Sequence, residues 1–172
     1  MATREHEHGR IRTVIWEDPK ISARDSASIS GPDYLHAIKE GRIKPPPVAM
    51  LIGYRIAAIE VGRVVFELEP DESHYNPFAS VHGGIAGLVL DSAMTSAVLS
   101  TLPIGTACST IEMKTNFVRP ITSRTGLVLA EGKVVHVGSR IGTAEGRLTD
   151  REGMLYAHAI STCMILKARK KT

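Results

Sequence analysis

The chain has 172 residues, 43% of them hydrophobic and 23% charged, with a formal net charge of +3. This balance is typical of one folded domain with a proper core, and the length is too short for two comfortable domains. No apolar run reaches membrane-spanning length without a polar interruption, and the mild charge indicates no nucleic-acid partner. The first residues lack the apolar core of a signal peptide, so we expect a cytoplasmic protein without a membrane partner.

The two ends of the chain differ in composition from the rest. Residues 1–30 show no sustained hydrophobic period and are rich in charged residues and Ser, so we predict a loosely ordered extension. His6 and His8 lie there without a convincing set of further ligands, and we expect no metal site. Residues 169–172 form a basic tail. The single folded domain is predicted to span 31–168.

The first predicted element is a short helix in residues 30–42, SGPDYLHAIKEGR. Pro32 suits the first turn, Asp33 suits the positive end of the helix dipole, and Gly41 marks the end. Residues 43–50, IKPPPVAM, follow with three consecutive prolines. Because proline lacks an amide donor and fixes an extended path, we predict a linker here.

The remainder of the chain is mostly β-structure. Residues 53–70 read as two strands around Val61–Gly62, which predicts a hairpin, and residues 71–80 form a polar loop. Residues 83 to about 101 form the only long helix. Four further strands are predicted at 108–118, 125–137, 139–149 and 154–166. Their short, turn-rich connections indicate antiparallel neighbours.

This order of elements predicts an α+β fold. A curved antiparallel sheet of about six strands can wrap around one long central helix and bury it, with a short N-terminal helix in addition. The strands carry glycine at interior positions, including Gly132, Gly142 and Gly146, which indicates that something passes close to the sheet face. The helix, a second subunit or a ligand would each satisfy this pattern.

Asp91 is the one carboxylate inside the long apolar helix. Burying an ionised carboxylate costs several kcal/mol unless it is paired, and the helix offers no cation within a turn of it. A structural explanation is a hydrogen bond to a backbone amide or to the hydroxyl of Ser92 or Thr95. The alternative is a catalytic role, and the residues before the helix favour it.

Gly83 and Gly84 stand at the start of the same helix, where the first amides lack intrahelical partners and the dipole favours negative charge. Such a site can hold a phosphate or polarise a carbonyl oxygen. The chain has no Walker pattern, and GSRIGTAEG lacks the GxGxxG spacing, so carbonyl polarisation remains.

Gly83 and Asp91 are separated by about 12 Å along one helix, at a rise of 1.5 Å per residue. One small carbonyl cannot contact both. A two-fold axis with two antiparallel helices would place Asp91 of one chain opposite Gly83 of the other. We therefore predict two equivalent sites at a dimer interface.

The combined motifs resemble those of a known family. The pattern N-P-x-x-x-V-H-G-G at 76–84, Asp seven residues after the second Gly, NFVRP at 116–120 and the run from AEGKVV to LYAHA are similar to PaaI-type acyl-CoA thioesterases of the hotdog superfamily. The resemblance covers about residues 31–166. It implies a homodimer, often paired into a tetramer, that hydrolyses acyl-coenzyme A thioesters without metal or other cofactor.

The resemblance also implies roles for individual residues. Asp91 matches the catalytic carboxylate, as nucleophile or general base. Gly83 matches the amide that polarises the thioester carbonyl, and Asn76 matches a side chain that assists it. His82 mostly shapes the turn. Thr110 aligns with a hydroxyl residue that in some members of the family positions the water. Ser109 lies one register away and is the alternative hydroxyl. The sequence departs from the family pattern at Ala79, where glycine is common.

The acyl group is expected to be aromatic or of medium chain length. The candidate residues for its pocket are Gly84, Ser109, Phe78, Leu88, Met94 and Met113. The candidates for the coenzyme A phosphates are Arg119, Arg140 and Lys133.

The sequence disfavours three alternatives to a thioesterase. The chain has no GxSxG elbow, and we predict that Cys108 and Cys163 are buried free thiols, so a serine or cysteine triad is disfavoured. A hotdog enoyl-CoA hydratase matches poorly, because His74 stands where that signature has Asp and His82 lies too far beyond Pro77. A non-catalytic acyl-CoA sensor is disfavoured by the presence of Asp91 and Asn76 and by the lack of a helix-turn-helix pattern.

Overall fold

A computed structural model of the chain describes residues 9–167. His6, His8 and the basic tail at 169–172 lie outside the described residues. The helices are α1 (Pro19–Ser28), α2 (Gly31–Lys39), α3 (Pro47–Ile52) and α4 (Gly83–Leu99), with 3-10 turns at Glu72–His74 and Ser123–Thr125. The strands are β1 (Arg55–Glu60), β2 (Arg63–Leu68), β3 (Thr106–Phe117), β4 (Val128–Val137), β5 (Ile141–Asp150) and β6 (Leu155–Lys167).

The six strands form one antiparallel sheet in the order β1-β2-β4-β5-β6-β3. Helix α4 lies across this sheet and contacts β2 through β6. Strand β3 follows α4 in the chain but pairs with β6, so it forms one edge of the sheet. The predicted α+β fold, a curved sheet around one central helix, is confirmed.

The glycines on the strands contact α4 rather than a ligand. A Cβ atom at Gly132 would lie 2.3 Å from the backbone carbonyl of Ala93, and one at Gly142 would lie 2.7 Å from Val98. At Gly146 a Cβ would lie 3.0 Å from Met94, which is fully buried. The question left open by the strand composition is therefore answered: the helix backbone lies against the sheet, and only small residues allow that approach.

The N-terminal extension contains a helix that the sequence pattern did not predict. Helix α1 begins at Pro19, and the Asp18 side chain caps it by accepting the Lys20 amide at 2.9 Å. None of its residues is buried, and a hydrogen bond of 2.7 Å between Ser22 and Tyr34 joins it to α2. Because α1 buries no face, it has no hydrophobic period from which it could be predicted.

The proline-rich segment at 43–50 is only partly a linker. Residues 43–46 are non-helical, as predicted, but helix α3 begins at Pro47 and ends before Gly53, whose φ of 88° provides a left-handed cap. The prediction of a linker to residue 50 is wrong here. Proline at the first helical position is favourable, because the amide it lacks has no intrahelical partner there.

Candidate active site

The loop before α4 is held by hydrogen bonds within itself. His74 is buried, accepts the Asp71 amide at Nδ1 and donates from Nε2 to the Ile52 carbonyl at 2.9 Å. The Asn76 Oδ1 atom accepts the Phe78 amide at 2.8 Å, and its Nδ2 donates to Ser80 Oγ at 3.0 Å. These bonds fix the chain at the entrance to the helix.

His82 is the residue that caps α4. Its backbone is extended, with φ −60° and ψ 132°, and its Nδ1 accepts the Gly84 amide at 2.9 Å. A Cβ atom at Gly84 would lie 2.9 Å from this same nitrogen, so a larger residue would displace the cap. The Gly84 amide is therefore used within the chain. This observation agrees with the prediction that His82 shapes the turn.

The Gly83 amide has no acceptor among residues 9–167. The ring of Phe117 covers the α-carbon closely, since a Cβ atom at Gly83 would lie 3.1 Å from it. A free amide at the positive end of a 17-residue helix is a donor suited to a carbonyl oxygen that gains negative charge.

Asp91 is half-buried and is held by hydroxyl groups. Thr110 Oγ1 donates to Asp91 Oδ1 at 2.7 Å, and Thr95 Oγ1 lies 2.7 Å from Thr110 Oγ1 and 3.5 Å from the same carboxylate oxygen. Cys163 Sγ lies 3.8 Å from Thr95 Oγ1 and closes this cluster from beneath. The structural explanation of Asp91 therefore applies to Oδ1, whereas Oδ2 has no partner among the described residues.

Asp91 borders two cavities. The first, which we call the groove, has a volume of about 710 Å³ and lies open between α4 and β3. It is lined by His82, Gly83, Gly84, Gly87, Leu88, Asp91, Thr110, Met113, Thr115 and Phe117. Most of the predicted site residues on α4 and β3 thus share one surface.

The second cavity, which we call the chamber, has a volume of about 730 Å³. It lies between the α2 to α3 segment, the β1–β2 hairpin, and the outer part of α4 with β3, and Asp91, Thr110 and Ser109 border it. Its outer rim includes the exposed Lys39 and Lys44. The N-terminal segment therefore builds a wall beside the candidate carboxylate.

Titratable groups near Asp91, among them Tyr54 and Cys108, have shifted pKa values. Burial raises the pKa of Tyr54 above its usual range; the hydrogen bond from Ser92 opposes this shift, and the charge of Asp91 adds to it. The hydrogen bond to Cys163 and then burial raise the pKa of Cys108. Both cysteines are free, as predicted, but the predicted burial is confirmed only for Cys163, which is 0% exposed, because Cys108 is half-buried.

Several predicted residues lie outside the groove. Asn76 and Arg119 border a separate pocket of about 370 Å³ beside Gly83, and Ser109 lies in the chamber. Phe78 is 88% exposed on the loop, and Arg140 and Lys133 border neither the groove nor the chamber. Met94 belongs to the core and not to a pocket.

Three residues at this site, Thr95, Tyr54 and Ser92, were not among the predicted site residues. Thr95 was considered only as a structural partner of Asp91, although its position one helical turn later places it on the same face. Tyr54 and Ser92 form a hydrogen-bonded pair in the chamber at 3.1 Å. Tyr54 comes from a distant part of the chain, and no local signal connects it to α4.

Within residues 9–167, no three His, Cys, Asp or Glu side chains are grouped so that they could hold a metal ion. No helix in that range has both the length and the apolar character needed to cross a membrane.

Comparisons with known proteins agree with this geometry. The thioesterase superfamily profile matches residues 78–157. A 1,4-dihydroxy-2-naphthoyl-CoA hydrolase from Listeria monocytogenes is 26% identical over 119 residues, which are 69% of this chain and 95% of that protein. A phenylacetic acid degradation-related protein from Ralstonia eutropha superposes with a TM-score of 0.69 at 29% identity, covering 76% of this chain and 98% of that one. The E. coli PaaI protein superposes with a TM-score of 0.70 at 19% identity, covering 81% and 98%, a likeness that shows the fold.

The chain is similar to the thioesterase superfamily over residues 78–157 and has the hotdog fold. PaaI-like proteins are among the solved structures that it resembles, and the relatives indicate an enzyme that hydrolyses thioesters. The resemblance identified from the motif at 76–84 and the predicted enzyme class are both confirmed.

Proposed function

We propose that the protein hydrolyses the thioester of an aromatic or medium-chain acyl-coenzyme A to the free acid and coenzyme A. The observation that carries this proposal is the half-buried Asp91, which Thr110 holds at the border of two cavities. Coenzyme A is part of the substrate, and the reaction needs no further cofactor. The acyl-CoA hydrolase among the relatives supports this substrate class.

Asp91 supplies the reactive oxygen. Thr110 occupies Oδ1, so Oδ2 is the atom that faces the substrate. As a general base, Oδ2 takes a proton from water, the hydroxide adds to the thioester carbon, and the proton passes to the departing thiolate. As a nucleophile, Oδ2 adds to the same carbon and expels the thiolate, and water then hydrolyses the mixed anhydride. Both routes need the carboxylate to be ionised.

The developing oxyanion is stabilised by the Gly83 amide of a second subunit. Within one chain, Gly83 and Asp91 are separated by about 12 Å, too far for one carbonyl to contact both. Two groove surfaces related by a two-fold axis would bring each Asp91 opposite the partner subunit's Gly83. Asn76 supports this donor from the loop beside Gly83, where its amide nitrogen retains a second hydrogen.

The surface beside the groove supports a homodimer. Strand β3 is a 12-residue edge strand, and its side chains Ile111 and Phe117 are 54% and 57% exposed. Thr115 Oγ1 borders the groove as a buried hydroxyl without a partner among the described residues. A long unpaired edge strand is a template for pairing with another strand, and a second β3 would cover the exposed Ile111 and Phe117. Two such dimers pair further into a tetramer.

Arg119 is the best supported of the three phosphate candidates. It borders the pocket beside Gly83, where its guanidinium donates to the Leu155 carbonyl at 2.6 Å. Arg140 and Lys133 lie away from this pocket, so we assign them no role in the site.

The hydratase alternative has no support from the site. His74, the residue nearest to that signature, uses both ring nitrogens in hydrogen bonds inside the loop. The sensor alternative is tested by turnover. We expect the purified protein to release free thiol from aryl or medium-chain acyl-CoA, and an Asp91→Asn variant to bind the same substrate while releasing almost none. Tight binding without thiol release by the unaltered protein would favour a sensor instead.

The shared site is tested by mixing two inactive subunits. Gly83→Pro removes the amide proton at a position where proline is favoured, and the extended backbone of His82 is compatible with a following proline. Gly83→Ala is the matched control, because it adds a similar Cβ but keeps the amide. We expect Gly83→Pro and Asp91→Asn to be inactive as separate proteins.

Subunits of the two variants are then refolded together. Half of the dimers are mixed, and each mixed dimer contains one intact site, so about a quarter of the unaltered activity should return. If both groups acted within one chain, no mixture would regain activity, and the two-subunit site would be rejected.

A further inference from the structure

The chamber is bordered by a second polar pair beside Asp91 and Thr110, formed by the buried Tyr54 and the half-buried Ser92. The Tyr54 ring packs edge-on against Phe66, with centroids 5.4 Å apart, and Tyr54 is only 5% exposed. Its hydroxyl oxygen accepts a hydrogen bond from Ser92 Oγ at 3.1 Å. Among residues 9–167, no acceptor receives the proton of the Tyr54 hydroxyl. Because a buried donor is seldom left unpaired, this proton marks a place where a ligand atom completes the hydrogen bond.

This donor lies close to the reacting group. Ser92 follows Asp91 directly in α4, and Asp91, Ser92 and Tyr54 all border the chamber. The raised pKa of Tyr54 keeps its proton in place over the neutral range, so the hydroxyl can donate to a neutral oxygen.

The rest of the chamber is suited to an acyl group rather than to the pantetheine arm of coenzyme A. Most of its lining is apolar and includes Leu35, Ile38, Ile56 and Leu99, although Ser96 and Ser109 also line it. Pantetheine carries two amides, which would lose hydrogen bonds to water in such surroundings. A hydrocarbon ring or short chain loses nothing there and needs only the volume of about 730 Å³.

On the basis of the proposed thioesterase function, we propose that Tyr54, oriented by Ser92, is a specificity-determining residue for acyl groups with an acceptor oxygen close to the thioester carbon. A hydroxyl ortho to the thioester on an aromatic ring is one such oxygen. It lies on the side of the ring nearest Asp91, where the Tyr54 proton can reach it. An oxygen in the para position lies across the ring from the thioester carbon, so we expect no such hydrogen bond to it.

The test measures kcat/KM for benzoyl-CoA, 2-hydroxybenzoyl-CoA and 4-hydroxybenzoyl-CoA. Each substrate is compared with itself across variants, so differences in intrinsic reactivity cancel. We expect Tyr54→Phe to reduce the value for the 2-hydroxy substrate about three- to tenfold more than for the other two, as expected for one hydrogen bond. Tyr34→Phe is the matched control, because it removes a chamber hydroxyl that already bonds to Ser22. It should change all three values in the same proportion.

Ser92→Ala provides a second variant that keeps the Tyr54 hydroxyl but releases it from its partner. We expect the ortho preference to decrease by less than in Tyr54→Phe. Equal losses for all three substrates in Tyr54→Phe would overturn the inference and assign Tyr54 to the fold or to the coenzyme A arm. Failure of the unaltered, folded protein to hydrolyse any acyl-CoA would instead reject the proposed function itself, so the two failures are distinguishable.

Discussion

The two faces of helix α4 differ in how closely they are packed and in the polar groups that they carry. The inner face lies against β4 and β5 so closely that Gly132 has no room for a side chain, and its residues Leu90 and Met94 are fully buried. The outer face carries Asp91 and the free amide of Gly83 and borders the open groove. One face of this helix is therefore tightly packed against the sheet, and the other face exposes polar groups to a cavity.

The difference shows why a polar residue is tolerated in the middle of this helix. Asp91 lies one residue after Leu90, which is completely buried, yet it faces hydroxyl groups and open space rather than apolar side chains. Its position needs no ion pair because it is not enclosed within the subunit. Each of the following changes affects one of the two faces, or the loop that leads to them.

The largest effect is expected from Asp91→Asn on the outer face. The amide retains the shape and can still accept the Thr110 hydrogen bond, but it can neither take a proton from water nor attack the carbonyl. We expect kcat for thiol release to decrease about 10³-fold, with little change in the thermal midpoint. A variant that kept most of its turnover would show that another group supplies the base.

Gly132→Ala tests the packing of the inner face of α4 against the sheet. The new methyl group would lie 2.3 Å from the Ala93 backbone, so either α4 or β4 must move. We expect the free energy of unfolding to decrease by about 3 kcal/mol, measured by denaturant titration. Gly138→Ala is the control, because its Cβ would meet no atom closer than 3.3 Å, and it should change stability by less than about 0.5 kcal/mol.

The support of the outer face is tested by Thr110→Val. The substitution keeps the branched shape but removes the hydroxyl that donates to Asp91 at 2.7 Å. We expect kcat to decrease about tenfold, the size of one hydrogen bond to a charged group. Ser109→Ala, one register away, should cause a smaller loss. The reverse ranking would show that Ser109 is the hydroxyl that matters.

The smallest effect is expected at the loop that leads to both faces. Ala79 has φ of 57°, a left-handed backbone that favours glycine, at the position where the family pattern has glycine. We expect Ala79→Gly to increase the free energy of unfolding by about 0.5–1 kcal/mol, because relief of strain exceeds the added chain entropy. Denaturant midpoints at equal m-values check this, and a decrease in stability would show that the strain lies elsewhere.

The parts of the fold that the sequence predicted are those with sustained apolar character. Helix α4 is one long apolar run, the strands are shorter apolar runs between turn signals, and their order in the chain left one sheet. Helices α1 and α3 were missed, because α1 buries no residue and α3 begins at the end of a run of prolines. Local signals for caps were present at Asp18 and Gly53, but no apolar period supported them.

The candidate site also contains residues that the sequence identified and residues that it did not. Asp91 and Gly83 were identified because a charge in an apolar helix and a double glycine at its start are anomalies within a short stretch. Tyr54 and the walls of the chamber come from segments about 40 residues earlier, and only the folded chain brings them to α4. Contacts between distant segments leave no trace in a single sequence, so the residues that line the chamber together could not be predicted.

The position of Asp91 between two cavities affects how products depart. Under the proposed function, the acid would lie in the chamber and the thiol in the groove after cleavage, on opposite sides of the Asp91 side chain. We therefore expect the acid and the thiol to be released in no fixed order. An excess of either product should then slow turnover independently of the second.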